Sequence, residues 1–156
     1  MEVSRATVRA EREWVHDRAE EVVPLANAVR ADLATVFDTE VPPISPEAYH
    51  EAVDAVFADE PRAVNAATIV ALLRDLDVAD DYPGFVIDEY LGRELAAIVA
   101  GEQPLRLLAE ATFHYADLSV HGGSTAGADD LHAALAAGVQ TRIPGWQWRE
   151  GRFGVE

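Results

Sequence analysis

The sequence predicts an all-α fold: a compact helical bundle of about five to six helices, with a long N-terminal helix and an extended C-terminal tail. Three observations point there. Apolar residues recur at steps of three and four along most of the 156 residues. Prolines and glycines stand where those periodic runs open and close, as helix ends favour. No stretch alternates apolar and polar residues over a strand's length.

Residues 3–37 place Val15, Val22, Ala26, Val29, Leu33 and Val36 on one helical face, with Val3, Thr7, Ala10 and Trp14 one residue out of phase. Pro24 lies inside this run, so a kink, or two helices meeting at residues 21–24, is expected. Arg5, Arg9 and Arg12 share one face of the first turns, where arginines form ion pairs with nearby acids or anchor an interface.

After a connector at residues 38–44, Ser45-Pro46-Glu47 reads as a cap followed by proline at the first helical position, opening a second helix to about residue 58. Glu60-Pro61 opens a third to about Leu76, with Ile69, Leu72, Leu73 and Leu76 as its densest apolar face. An acidic turn at 77–84 precedes a fourth helix at 85–100, apolar around more than half its circumference and therefore expected at the centre. Gly101 stops it and Pro104 starts a fifth, making a tight antiparallel pair. The fifth carries Leu105, Leu108, Thr112 and Tyr115 on one face and Leu107, Ala111 and Leu118 on another. A Gly- and Ser-containing loop at 121–130 leads to a short Ala-rich helix at 131–137. The division expected is one helical domain at 1–140 and a Trp- and Arg-rich arm at 141–156.

Composition narrows the function classes. With no Cys, thiol nucleophiles, disulfides and Cys-based zinc sites are excluded. No apolar run reaches membrane-spanning length, and the charged N-terminus is unlike a signal peptide, so a soluble protein, cytoplasmic or within a soluble particle, is expected. The chain has 12 cations against 28 acids, a net charge of -16, and every cation is Arg. Acidic excess without lysine fits a high-salt, halophilic setting. The charge is uneven: residues 1–30 carry a net of -1, residues 31–141 a net of -16 and residues 142–156 a net of +1. Near-neutral ends on an acidic body suit arms that contact a neighbour.

Two chemistries are legible. Arg106, Glu110, His114, Asp117 and His121 form one helical stripe, in which Glu110, His114, Asp117 and His121 are candidate ligands for a divalent transition metal. The structural counterpart is a solvated stripe held by Arg106–Glu110 and Glu110–His114 pairs. Glu13-x-x-His16 and Glu47-x-x-His50 echo di-iron bundles, but the helical wheels turn Glu13, His16 and Glu47 outward, so both read as surface coincidences. The loop at 122–127 follows a helix and lacks the lysine of a phosphate cradle. Helices three and four as a helix-turn-helix would turn Asp77, Asp80 and Asp81 toward phosphates, which argues against direct nucleic-acid binding.

The second chemistry is the arm, where Trp146, Trp148, Arg149, Arg152 and Phe153 supply the residue types that anchor interfaces. The first expectation is accordingly a non-enzymatic assembly or adaptor protein without cofactor, docking as a homo-oligomer or on a protein partner. By architecture alone this is the design of connector proteins of tailed viruses, here from a haloarchaeal host. The alternative is a metal-dependent helical enzyme or metal-binding protein using the four-residue stripe.

Overall fold

The structure of the chain, a computed structural model, describes residues 1–76, 88–119, 128–143 and 145. Among them it is all-helical, with seven α-helices: α1 Arg5–His16, α2 Ala19–Val36, α3 Pro46–Ala58, α4 Glu60–Asp75, α5 Arg93–Ala100, α6 Leu105–Ser119 and α7 Ala128–Arg142. A π-helical turn, Asp88–Gly92, leads into α5. The acidic turn at 77–84, the loop at 121–127 with His121, and the arm residues 146–156 lie outside the described residues.

Helix ends follow local chemistry. The Ser4 hydroxyl accepts the Thr7 N–H and the Thr7 hydroxyl accepts the Ser4 N–H, a reciprocal cap on α1. Ser45 accepts the Ala48 N–H at 3.1 Å, with Pro46 opening α3 as expected. Gly101 closes α5 at φ 110, a backbone region that favours glycine.

The N-terminal segment differs from expectation: the break falls at Asp17–Arg18, not near Pro24. Asp17 and Arg18 donate to the carbonyls of Glu13 and Val15, closing α1, and α2 restarts at once. Pro24 is accommodated inside α2 because it stands on the exposed side, where the Glu20 carbonyl that its missing N–H leaves without a helical partner can be hydrated. The break lets α1 fold back on α3 and α4, so the N-terminal residues are part of the bundle.

Helix α7 is longer than predicted. The expected helix ended at residue 137, and at Gly138, just beyond, a Cβ would lie 2.6 Å from Val99 Cβ and 2.8 Å from the Ala96 carbonyl oxygen. The glycine lets α7 and α5 touch backbone to side chain, and the helix runs on through Thr141 and Arg142, which the sequence reading assigned to the arm. Helix α7 packs on α2, α3, α4, α5 and α6, sharing the centre with the buried α5. Alanine dominates that centre: Ala133, Ala134, Ala136 and Ala137 on α7 and Ala96, Ala97 and Ala100 on α5 are all buried, and short side chains permit close helix approach. On α4 the buried face is Ala63, Ala66, Ala67, Val70 and Leu73, with Ile69, Leu72 and Leu76 only half-buried at its margin.

Candidate functional site

Helix α6 is built with two apolar faces. Ala109, Thr112, Phe113 and Ala116, at helical spacing, are buried against α5, α7 and α2. Phe113 reaches the π-helical turn, where Gly92 makes room: a Cβ at Gly92 would lie 2.4 Å from the ring. On the opposite side Leu107 is 64% exposed and Leu118 59% exposed, with exposed Ala111 and His114 between them and Tyr115 at the edge. Apolar side chains aligned on one exposed helix face, with polar residues at the rim, are the pattern of a docking surface.

The predicted polar stripe forms the rim of that face. Glu110 and Asp117 are half-buried and His114 is exposed, in line along α6. Arg106 turns to Glu94 on α5 at 3.5 Å; no Arg106–Glu110 pair forms. Among the described residues no three His, Asp or Glu side chains gather as a metal site would require, and His121 lies outside the described residues.

The other predicted site residues separate. Arg5 and Arg9 are exposed on α1, while Arg12 donates to Asp54 on α3 at 2.8 Å. Trp146, Trp148, Arg149, Arg152 and Phe153 lie outside the described residues.

Sequence reasoning missed two clusters. His16 and His50, from the two Glu-x-x-His matches read as surface coincidences, stack across the α1–α3 contact with ring centroids 4.0 Å apart and planes 10° from parallel. The His16 carbonyl lies 3.1 Å from His50 Nε2, and Asp54 lies 4.0 Å from His16 Nε2 and salt-bridges Arg12. Parallel stacked rings do not aim their nitrogen lone pairs at one point, so this pair is built for packing, not chelation. The repeated Glu-x-x-His spacing was the signal, and only the inter-helix packing gives it meaning.

The second is an arginine set. Arg30 on α2 is 1% exposed; its Nε donates to the Pro42 carbonyl at 2.8 Å and one terminal nitrogen to the Gln140 carbonyl at 2.6 Å. Burial pushes its pKa down to about 10. Arg142 donates to the Val99 carbonyl at 3.3 Å. Each meets a carbonyl in the last turn of a helix, where backbone acceptors lack partners and negative potential collects. Around Trp14, the guanidinium carbons of Arg18 and Arg74 lie over the ring at 4.8 and 4.6 Å, and Arg74 also pairs with the buried Glu11 at 2.7 Å. Arginines thus hold the bundle together, while α6's outer face turns apolar side chains to solvent.

A family described as a domain of unknown function, DUF7984, matches residues 1–155. The chain belongs to the DUF7984 family. Neither the curated proteins nor the solved structures contain a match to this DUF7984 chain.

Proposed function

We propose that this chain is a non-enzymatic assembly or adaptor protein for a salt-rich medium, docking on a protein neighbour through the outer face of α6 and its C-terminal arm. The observation that carries this reading is the exposure of Leu107 and Leu118 on the side of α6 opposite its buried face. A helix that already buries Ala109, Phe113 and Ala116 needs no second apolar face for folding. The acidic, lysine-free composition supports the salt-rich setting, because screening there removes the repulsion between chains of charge -16.

The test is the mass of the full chain by light scattering across concentration and salt, compared with Leu107→Glu/Leu118→Glu and with a chain lacking residues 146–156. The deletion stops short of Arg142 because that side chain caps α5. The expected result is an assembly that loses mass in both variants at unchanged helicity. An assembly of the same mass in all three chains would sink the reading.

A further inference from the structure

The corner where α1 meets α3 brings titratable side chains of two helices to one helix end. The last carbonyls of α1 are met from α3: the Tyr49 hydroxyl donates to the Val15 carbonyl, and His50 Nε2, 3.1 Å from the His16 carbonyl, must donate because a carbonyl only accepts. That bond fixes the neutral tautomer of His50 and leaves Nδ1 as the atom that takes a further proton. His16 is the last residue of α1, and its ring lies flat on that of His50 with 4.0 Å between centroids.

The charges around the two rings balance one added proton and not two. Among the described residues, the carboxylate within ion-pair distance is Asp54 of α3, 4.0 Å from His16 Nε2 and already held by Arg12 of α1 at 2.8 Å. Tyr49, tilted against His50 at 5.8 Å, is neutral in acid, and Arg18 and Glu21 at the start of α2 act on it with opposite signs. On the Trp14 side of α1, Arg74 of α4 is matched by Glu11, and His132 of α7 stacks on the indole. The acids nearest in sequence, Glu13, Asp17, Glu47 and Glu51, are exposed, where water weakens their pull.

A proton on His16 faces Asp54 and lies against the neutral ring of His50. A second proton, on His50, sets two like charges face to face beside a carboxylate that Arg12 already shares.

We infer that the His16–His50 stack is a proton-operated joint, which accepts one proton and is opened by the second, so that acidification loosens α1 from α3. Opening frees Arg12 and Asp54 from each other, while the Glu11–Arg74 pair still ties α1 to α4. The joint is independent of the docking reading, which concerns α6. Unfolded, the rings are apart and each takes its proton freely; folded, the stack takes the second against repulsion. The unfolded chain therefore binds more protons in acid, and stability present at neutral pH is lost as pH falls through the histidine range, from about pH 7.5 to about pH 5.

Urea unfolding of the full chain in about 0.1 M salt, at both ends of that range, tests this against His16→Gln, His50→Gln and the double variant. Glutamine keeps a neutral amide donor for the His16 carbonyl and cannot take the charge. On acidification the native ratio of folded to unfolded chain is expected to fall about tenfold further than that of any variant. The three variants should share one pH profile, because the loss needs both rings. The gap between native and variants should narrow in about 1 M salt, where screening acts within about 3 Å. The native chain gives a readout that needs no variant: by nuclear magnetic resonance the two rings should titrate in separate steps, and cross-relaxation between them should vanish in the second.

Three results overturn the inference. A single variant that keeps the native loss, or a gap indifferent to salt, means that the loss does not come from repulsion between the rings. A native chain that holds or gains stability in acid relative to the variants means that Asp54 and the end of α1 accommodate both charges. Cross-relaxation that persists through both steps means that the joint stays closed.

Discussion

Helices α6 and α7 are both rich in alanine and leucine, yet one is enclosed by five neighbours and the other turns apolar residues to solvent. Apolar content alone does not separate a helix that holds a fold from one that offers a surface. The smallest and the polar residues do. On α7, Gly138 admits α5, and the buried Gln140 and Thr141 are linked: Gln140 Nε2 donates to Thr141 Oγ1 at 2.9 Å, and Thr141 Oγ1 donates to the Ala137 carbonyl at 2.7 Å. On the outer face of α6, Glu110, His114 and Asp117 accompany the leucines to the surface.

The largest break in this contrast is expected at Gly138. A valine there collides with Val99 Cβ and the Ala96 carbonyl oxygen, and the backbone atom cannot rotate away. Gly138→Val should cost about 3 kcal/mol, near the upper end for overpacking, read as a lower urea midpoint. A loss below about 1 kcal/mol would mean that α7 and α5 can separate cheaply.

Arg30→Met is next. It leaves the Pro42 and Gln140 carbonyls without their guanidinium donors, and about 2 kcal/mol should be lost in chemical denaturation. A neutral result would show that water replaces the guanidinium.

Tyr49 tests the α1–α3 corner through pH. Its hydroxyl donates to the Val15 carbonyl, and burial, the largest cause, raises its pKa well above the ordinary 10.0. Because the folded pKa lies above the unfolded one, the stabilisation is complete below pH 10 and is lost as pH rises beyond it. Native protein should therefore exceed Tyr49→Phe by about 1 kcal/mol at neutral pH, and the gap should shrink above about pH 10. The lowered pKa of Arg30 acts in the opposite sense over the alkaline range but is common to both chains, so the difference isolates the phenol.

The smallest stability effect belongs to the outer face. Leu118→Glu should leave the melting temperature nearly unchanged, within about 0.5 kcal/mol, while removing association. A large destabilisation would place Leu118 in the fold and erase the contrast with α7.

Much of this was legible in the residues. Ser45-Pro46 and Gly101 act through local backbone chemistry, so their helix ends could be read without tertiary structure. Helical phase groups Leu107, Ala111 and Leu118 on one face, which the structure exposes, but the buried face is Ala109, Thr112, Phe113 and Ala116, of which only Thr112 belonged to an expected apolar face. What was not legible depends on neighbours. Asp17–Arg18 contains no residue that breaks helices, and the chain turns there because α1 gains burial on α3 and α4. The need for glycine at 138 comes from α5, whose Val99 and Ala96 lie against it. The role of Arg30 rests on carbonyl partners 12 and 110 residues away. The His16–His50 stack likewise needs the rotation of two helices about their contact, which helical wheels drawn separately do not contain.

The position of α7 bears on how the chain is made. It is the last of the seven helices in order, yet it fills the centre against which α2, α3, α4, α5 and α6 pack. During synthesis the earlier helices emerge without their common core, with Val22, Val70 and Leu95 still lacking the apolar surroundings that finally enclose them. The Arg30–Gln140 bond, spanning 110 residues, forms only once residue 140 has left the ribosome. Closure of the native bundle therefore waits for α7 to emerge, and a chain stalled before residue 128 presents the exposed apolar surface that chaperones recognise.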